Sequence, residues 1–469
     1  MKRRGYGPLV VVVGAGAAGL AAASMLEDRH LDVVVLESRD RIGGRVWTVR
    51  EWTRADGGQV PIDVGASWIH GTMGNPVTEL RDAFEIETTP TDVTDISLHW
   101  QGTLIDAQTT RELHETAEKV IEEIDHPTRR GTHHRLAPIV ASALGKQDLE
   151  GRDLAAVRFY LWEHIQNEWA SDPDRLSAAW YMDTRFEGQQ EVFPGGYDRI
   201  FHNLAGPMLV GITAASEEKP ATEEVVMEEV AQRLDVRTGR AVTEIRYGRD
   251  SVTVVAGANG EVVADYVIVT LPLGVLKRGS VRFSPPLPAP KWAAINRLGM
   301  GVLSKTWLKF PEVFWQAKEG PSRRIHACLR PGTEKWSSWY DFTDVAGAPV
   351  LLGLNGGEAG AQIEADHTRL GSAAVRAEAV AVLNGCFGAE VDPERVQIRN
   401  SEWSLDPHSL GSYSNIPPGA TPDDRDALAD PVMGRLLFAG EATHRTCSQT
   451  VHGAVLSGWR EARRILSML

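Results

Sequence analysis

The sequence predicts an α/β fold of two domains, one of them discontinuous, on three observations. The chain has 469 residues, and single hydrophobic cores stop growing near ~250–300 residues. Residues 9–37 read as strand, glycine turn, helix and second strand. The last segment repeats that grammar, with a strand at 435–439, a Gly-Glu turn and a helix at 450–467. A chain that opens and closes on nucleotide-binding patterns brings its ends into one domain.

The elements follow in order. Residues 9–13 (Leu-Val-Val-Val-Val) are β-branched and suit a buried strand, 17–29 a helix and 32–36 a second strand. Residues 106–182 are mostly helical by pattern, broken by a Pro/Gly/Thr stretch near 126–138. Residues 206–224 turn polar and acidic and read as an exposed insertion; the acidic 216–229 stretch receives no role. The runs 241–247, 251–256, 261–264 and 266–270 alternate like a small meander. Pro286-Leu287-Pro288-Ala289-Pro290 reads as a stiff linker between domains. Residues 302–405 mix strands with one helix at 367–384, and Trp162, Trp169, Trp180, Trp307 and Trp339 read as core.

Composition narrows the class. With 42% hydrophobic and 24% charged residues, the chain has the make-up of a soluble globular protein. A net charge of −14 argues against nucleic acid as a partner and is compatible with a cationic ligand. Three scattered cysteines, Cys328, Cys386 and Cys447, suggest neither a disulfide framework nor a metal pair. A reducing compartment, and so a cytoplasmic location, fits. His133-His134 lacks a further ligand at metal spacing, and no metal is expected. Met1-Lys2-Arg3-Arg4 and the uncharged run 5–26 have the outline of a secretory signal or a membrane span. A buried strand, glycine turn and helix explain the same residues, and no second apolar run of spanning length follows. No membrane association is expected.

Gly14-Ala15-Gly16-Ala17-Ala18-Gly19 matches G-x-G-x-x-G between the first strand and its helix. The first glycine permits the tight turn and the second admits a pyrophosphate to the backbone. The third lets helix and strand pack closely, with phosphate charge at the helix N-terminus. Glu37 ends the second strand about twenty residues on, where a carboxylate meets ribose hydroxyls. Ser38, Arg39, Asp40, Arg41, Ile42, Gly43, Gly44 and Arg45 follow. The glycine pair allows close backbone approach and Arg45 can hold a phosphate in bidentate fashion, a second pyrophosphate contact that favours FAD over NAD.

With that loop the chain resembles the flavin-containing amine oxidases. The likeness extends through Asp63-Val64-Gly65-Ala66-Ser67-Trp68-Ile69-His70-Gly71, Ser304-Lys305-Thr306-Trp307, Gly411-Ser412-Tyr413-Ser414, Gly440-Glu441-Ala442-Thr443-His444 and Thr450-Val451-His452-Gly453-Ala454. The Gly65–Gly71 stretch and the Ala442–Ala462 tail look most like polyamine oxidases. The resemblance implies a Rossmann-like, glutathione-reductase-type FAD-binding domain from residues 1–79, 193–289 and 406–469. Residues 80–192 and 290–405 would form a substrate domain of mixed sheet and helices.

The resemblance also implies roles. Gly65, Ala66, Ser67, Trp68 and Val242 would line the cofactor, Glu441 after Gly440 would hold its ribitol or pyrophosphate end, and Trp403 and Tyr413 would flank the isoalloxazine. Thr450 and Val451, with Ala454 behind them, would start a helix whose dipole faces the pyrimidine edge. Lys305 taken alone reads as an exposed strand residue; in the family the lysine here reaches a water beside flavin N5, where burial would lower its pKa. Monoamine oxidases carry a flavin-linked cysteine where this chain has Ser412, and serine cannot form the thioether, so FAD is expected to be noncovalent. His70 would accept a hydrogen bond from the substrate amine or help remove its proton. Glu168 matches an acidic substrate contact of some polyamine oxidases more loosely and reads equally as a solvated helix face. Gly195, in Glu191-Val192-Phe193-Pro194-Gly195-Gly196, would approach substrate or flavin or form an ordinary turn. Tyr413 would give one wall of an aromatic cage, with Thr450 opposite.

The implied reaction takes hydride from the carbon beside a deprotonated amine nitrogen to flavin, hydrolyses the imine, and reduces oxygen to peroxide; the partners are a small amine and O2. An L-amino-acid oxidase would need a cation for the substrate carboxylate, which no stretch announces. A lysine-tail demethylase would need an interaction module, for which 469 residues leave little room. A flavin-binding protein without turnover is opposed by Lys305, Tyr413 and His70 standing together.

Overall fold

A computed structural model describes residues 7–29, 31–126, 134–181, 186–206, 234–257, 260–315 and 324–469. The acidic 216–229 stretch, His133 and most of the break near 126–138 lie outside these residues.

The chain builds a mixed α/β architecture of two principal sheets. The first has five parallel strands in the order Asp235–Arg237, Asp32–Leu36, Leu9–Val13, Tyr266–Val269 and Leu436–Phe438. Leu9–Val13 lies at its centre, Val10 to Val13 pairing in register with Val33 to Leu36 on one side and with Tyr266 to Val269 on the other. All five of its residues are buried, which is why this strand is a continuous apolar run. The helix Ala17–Glu27 packs on the last helix, Val451–Leu466. Small residues permit the approach: a Cβ on Gly458 would lie 2.2 Å from the Ala18 carbonyl oxygen, and one on Gly19 would lie 2.0 Å from that of Gly14.

The second sheet has seven strands in the order Gln397–Asn400, Leu303–Lys309, Val350–Gly356, Ser338–Asp341, Ile325–Leu329, Ile96–Trp100 and Thr103–Leu104. Ala107–Asp125 and Gly151–Trp162 share a core with Ile325 and Ala327, whereas Ser372–Phe387 packs with Cys328 and Trp339. A further cluster, including Trp52, Ile62, Val64, Trp307, Leu352 and Trp403, joins the hairpin Thr48–Thr53/Gln59–Asp63 to this sheet. The site is assembled along that joint.

Several expectations are corrected. Cys328 and Cys386 form a disulfide, so cysteine usage no longer speaks for a reducing compartment. The pair is invisible in spacing because the fold lays the helix over the strand. The helix expected at 367–384 is two helices, Gly357–Leu370 and Ser372–Phe387, separated at Gly371, whose φ of 84° ends the first. The proline-rich stretch at 286–290 is packed against the fold: Leu287 is buried, the Tyr247 hydroxyl donates to the Pro286 carbonyl at 3.0 Å, and Pro288 caps the helix Ala289–Arg297. Trp180 is exposed, while Trp162, Trp169, Trp307 and Trp339 are buried. Among the described residues no helix is long and apolar enough to cross a membrane.

The disulfide joins residues 58 apart, and loop-closure entropy for a link of that length is worth about 4 kcal/mol. Cys386→Ser is expected to lower the unfolding free energy by up to that amount, read from denaturant curves with and without reductant. Reductant should destabilise the parent chain and leave the variant unchanged.

Candidate active site

The glycine-rich turn carries the first half of the site. Gly14 takes a φ of 108°, and Gly16 precedes the helix Ala17–Glu27 with no side chain capping it. The first-turn N–H groups of Ala17, Ala18 and Gly19 therefore have no intrahelical acceptor, and the helix dipole adds positive potential there. The Glu37 carboxylate accepts from the Ala15 N–H at 2.7 Å and the Arg39 N–H at 2.9 Å, and Ser38 donates to it at 3.2 Å. Arg39 is paired with Asp406 at 2.6 Å. Arg240 N–H donates to the Glu37 carbonyl, which brings half-buried Val242 alongside. Gly43 and Gly44, both with positive φ, carry the chain back over the turn, Gly43 N–H bonding the Ala15 carbonyl at 2.8 Å.

A second layer comes from the other end of the chain. Arg45 donates to the Ser412 carbonyl at 2.8 Å and to Glu441 at 3.0 Å. Glu441 also accepts from the Ser414 hydroxyl at 2.7 Å and the Gln449 N–H at 2.9 Å. Burial alone would push the Glu441 carboxyl up, but Arg45, Arg425 and Ser414 outweigh it and hold it below the usual carboxylate range. Thr450 caps the last helix, accepting from Gly453 N–H at 2.9 Å and donating to the Cys447 carbonyl at 2.8 Å. Its hydroxyl is thus engaged in orienting the helix; Val451 is half-buried and Ala454 buried. The Trp403 indole donates to the Val64 carbonyl at 3.2 Å.

Lys305 joins the two sheets' territories. It is 5% exposed, which excludes the exposed-strand reading. Its ammonium donates to the Gly65 carbonyl at 2.6 Å and the Ser67 hydroxyl at 2.5 Å, and stands 5.1 Å over the Trp68 ring. The approach of that loop depends on Gly65, where a Cβ would lie 1.9 Å from the Arg45 carbonyl oxygen, and Ala66 N–H donates to the same carbonyl at 3.2 Å. Burial lowers the Lys305 pKa to about 7, opposed by the buried Asp63 carboxylate, whose own pKa burial raises. Asp63 is held by the Thr48 hydroxyl at 2.6 Å and the Tyr197 N–H at 3.1 Å.

On the substrate side, the Tyr413 hydroxyl lies 3.0 Å from the Asn167 carbonyl oxygen and 3.1 Å from that of Glu168. Glu168 is half-buried and presses the Tyr413 pKa upward, after burial itself. His70 is exposed; burial is the main cause that lowers the pKa of His452, in the first turn of the last helix, with His70 and His444 adding to it. Gly195 offers its carbonyl to Arg50 at 2.8 Å, next to the Arg50–Asp198 ion pair. Among the described residues no three His, Cys, Asp or Glu side chains converge as metal ligands would.

The residues fit a bound dinucleotide. At Gly16 and Gly440 an added Cβ would meet nothing within 4 Å, so backbone lines open space there. Arg41 Nη2, Trp68 Nε1 and Gln449 Nε2 are buried donors with no protein acceptor, which native proteins rarely leave unmatched.

Comparison with known proteins agrees. The model of the flavin-containing amine oxidoreductases matches residues 17–466. The chain belongs to that family. Lysine-specific histone demethylase 1 homolog 1 of Arabidopsis thaliana is 34% identical over 98% of this chain and 52% of its own length. Lysine-specific histone demethylase 1 homolog 3 of Oryza sativa subsp. japonica is 33% identical over 97% and 54%. Polyamine oxidase 2 of Arabidopsis thaliana is 32% identical over 96% and 86%. The chain spans about half the length of the two demethylase homologues.

For a family member, two features of this site went unread in the sequence. Asp63 was visible only as the start of its motif, since its partnership with Lys305 needs the tertiary fold. Glu163, Asn167 and Tyr340 form a cluster that no spacing announces, because a π-helical turn brings it together. Glu441→Gln, which removes the charge facing Arg45 and Arg425, is expected to weaken flavin retention at least about tenfold, measured by flavin release on dilution.

Proposed function

We propose that this protein oxidises a C–N bond of a polyamine (spermine, spermidine or an acetylated form), with noncovalent FAD as the acceptor. The observation that carries the reading is Lys305: a buried amine of lowered pKa beside Ser67 and Trp68, close to where Glu441 and the last helix would seat the flavin. FAD, when bound, accepts a hydride from the carbon next to nitrogen and returns both electrons to oxygen, giving hydrogen peroxide. The protein does the rest. Tyr413 and Trp68 wall the amine, and His70 takes or shares the amine proton so that nitrogen reacts uncharged. The oxidised substrate is an imine, which water hydrolyses to an aminoaldehyde and a shorter amine. Lys305 holds the proton that oxygen reduction consumes. Ser412 supports noncovalent binding: its hydroxyl accepts from Leu303 N–H at 2.8 Å and faces the Leu303 carbonyl at 3.2 Å, and it carries no thiol.

The demethylase relatives support a second reading, in which the same hydride removal acts on the methyl carbon of an N-methylated lysine and releases formaldehyde.

Anaerobic mixing with spermine is expected to bleach the flavin absorbance, with peroxide on admitting air; an unchanged spectrum with spermine and bleaching with a methyl-lysine peptide would favour the second reading. Acid precipitation should leave the flavin in the supernatant. Lys305→Met is expected to slow oxygen-dependent turnover about a hundredfold or more while FAD stays bound. As the ammonium form of Lys305 gives way above about pH 7, the oxygen step in the parent enzyme should slow as pH rises through that value. Stopped-flow reoxidation of the variant should lack this inflection.

A further inference from the structure

The helix Gly151–Trp162 continues into a π-helical turn, Glu163–Asn167. Such turns re-aim side chains and gather at functional sites. This one is clamped. A Cβ on Gly356 would stand 1.9 Å from the Gln166 carbonyl oxygen, and Asn167 Oδ1 accepts from Gly356 N–H at 2.9 Å. Asn167 Nδ2 donates to Glu163 at 2.7 Å, and the Asn167 carbonyl meets the Tyr413 hydroxyl.

The clamp presents Glu163 to the strand Ser338–Asp341. Ser338 and Tyr340 share one face of that strand, and both hydroxyls donate to the Glu163 carboxylate, Tyr340 at 2.6 Å. Tyr340 in turn meets the Trp68 ring edge-on, centroids 5.6 Å apart. Glu163 is therefore one side chain removed from the indole over which Lys305 stands.

Two observations separate this carboxylate from a merely structural one. Ile165, Asn167, Ser338 and Trp339 around it are buried, yet Glu163 itself is only half-buried, as are Tyr340 and Trp68, so its carboxylate is not sealed in the core. In addition, all three donors to Glu163 are neutral, and among the described residues no Lys or Arg is paired with it. An ionised Glu163 carries a full negative charge held by neutral donors, with a second carboxylate, Glu168, at the far end of the turn. Burial and Glu168 both push the Glu163 pKa up, against its three donors; a cation beside it would reverse that push. A phenol donating to a carboxylate also enriches its own ring in electron density, which strengthens the attraction of the ring face for an ammonium.

We propose that Glu163 is the specificity-determining carboxylate of the site, selecting amines that carry a second cationic nitrogen and acting through Tyr340. The inference rests on the amine-oxidase reading and names the residue that would recognise the substrate's second cationic nitrogen.

The test compares cadaverine with n-pentylamine, which have the same carbon chain and differ by the second ammonium. Binding to the FAD-loaded enzyme is measured anaerobically by calorimetry, and flavin bleaching is recorded separately. The parent enzyme should bind cadaverine more tightly. Glu163→Gln should weaken cadaverine binding about tenfold, the loss of one partly desolvated ionic contact, and change pentylamine binding less than about twofold. Tyr340→Phe, which keeps the carboxylate and removes the hydroxyl, should shift the preference in the same direction; it replaces the first variant if that fails to fold. Equal weakening for both amines, or a parent enzyme without preference, overturns the proposal. Selective binding that Glu163→Gln abolishes supports it whether or not either amine bleaches the flavin, and absence of bleaching with spermine as well sinks the oxidase reading, so the two fail separately.

Discussion

Burying the Lys305 ammonium is the constraint around which the two halves of this molecule are arranged. An unmatched charge in an apolar interior is expensive, and lysine escapes the cost by being hydrogen-bonded, by facing an opposite charge or by losing its proton. Here all three operate. The Gly65 carbonyl and the Ser67 hydroxyl accept from the amine, Asp63 lies close enough to oppose its deprotonation, and burial still lowers its pKa. Those partners come from the end of the strand Gln59–Asp63 and the loop that follows it, whereas Lys305 comes from the large sheet. Satisfying one amine therefore docks the sheet against the loop that leads out of the glycine-rich unit.

The docking needs backbone proximity that only glycine gives. Gly65 sits against the Arg45 carbonyl, Gly19 against Gly14 and Gly458 against Ala18. These contacts fall on the route from the first strand through the Gly43-Gly44 loop to the last helix. Chain ends more than four hundred residues apart in sequence thus become adjacent walls, with Glu441 and Thr450 on one side and the Ala17 helix terminus on the other. Close packing and ligand binding use the same small residues for the same reason: where a side chain is absent, either a neighbouring backbone or a phosphate can come near.

This explains what could be read from sequence. Leu9–Val13, the glycine turn and Glu37 were legible because their signals are local: a buried parallel strand is continuously apolar, and a phosphate turn needs glycines at set offsets. The start of the last helix, expected at about Thr450, was legible too, and the structure adds that Thr450 caps it. The single helix expected at 367–384 failed because Gly371 is one residue in an otherwise helical pattern, and its left-handed backbone cannot be inferred from identity alone. The Cys328–Cys386 bridge and the Asp63–Lys305 pairing were illegible for a different reason: each joins elements far apart in sequence whose approach is decided by packing. Glu163 was hidden because two of its partners, Ser338 and Tyr340, come from a distant strand, and the π-turn that brings Asn167 to it is not announced by any periodicity.

The electrostatic arrangement is asymmetric in a way that bears on chemistry. Around the glycine-rich turn, Arg39 is paired with Asp406 and Arg45 with Glu441, which Arg425 also faces, whereas Arg41 bonds only backbone carbonyls and keeps Nη2 without a protein acceptor. A phosphate placed there would meet the helix dipole and backbone N–H groups, with Arg41 as a further donor. Around Glu163 the balance differs. Glu163 is satisfied by neutral donors alone, Glu168 lies at the far end of the same turn, and Lys305 is pushed toward its neutral form. A carboxylate held by neutral donors and a lysine reluctant to stay protonated favour a cationic ligand over an anionic one. That same field raises the pKa of an amine lying in it, which opposes the deprotonated nitrogen that hydride loss requires. The two demands are reconciled if the attracting carboxylates act on a nitrogen remote from the reacting one, so that charge holds the substrate at one end while its other end reacts uncharged against Trp68 and Tyr413.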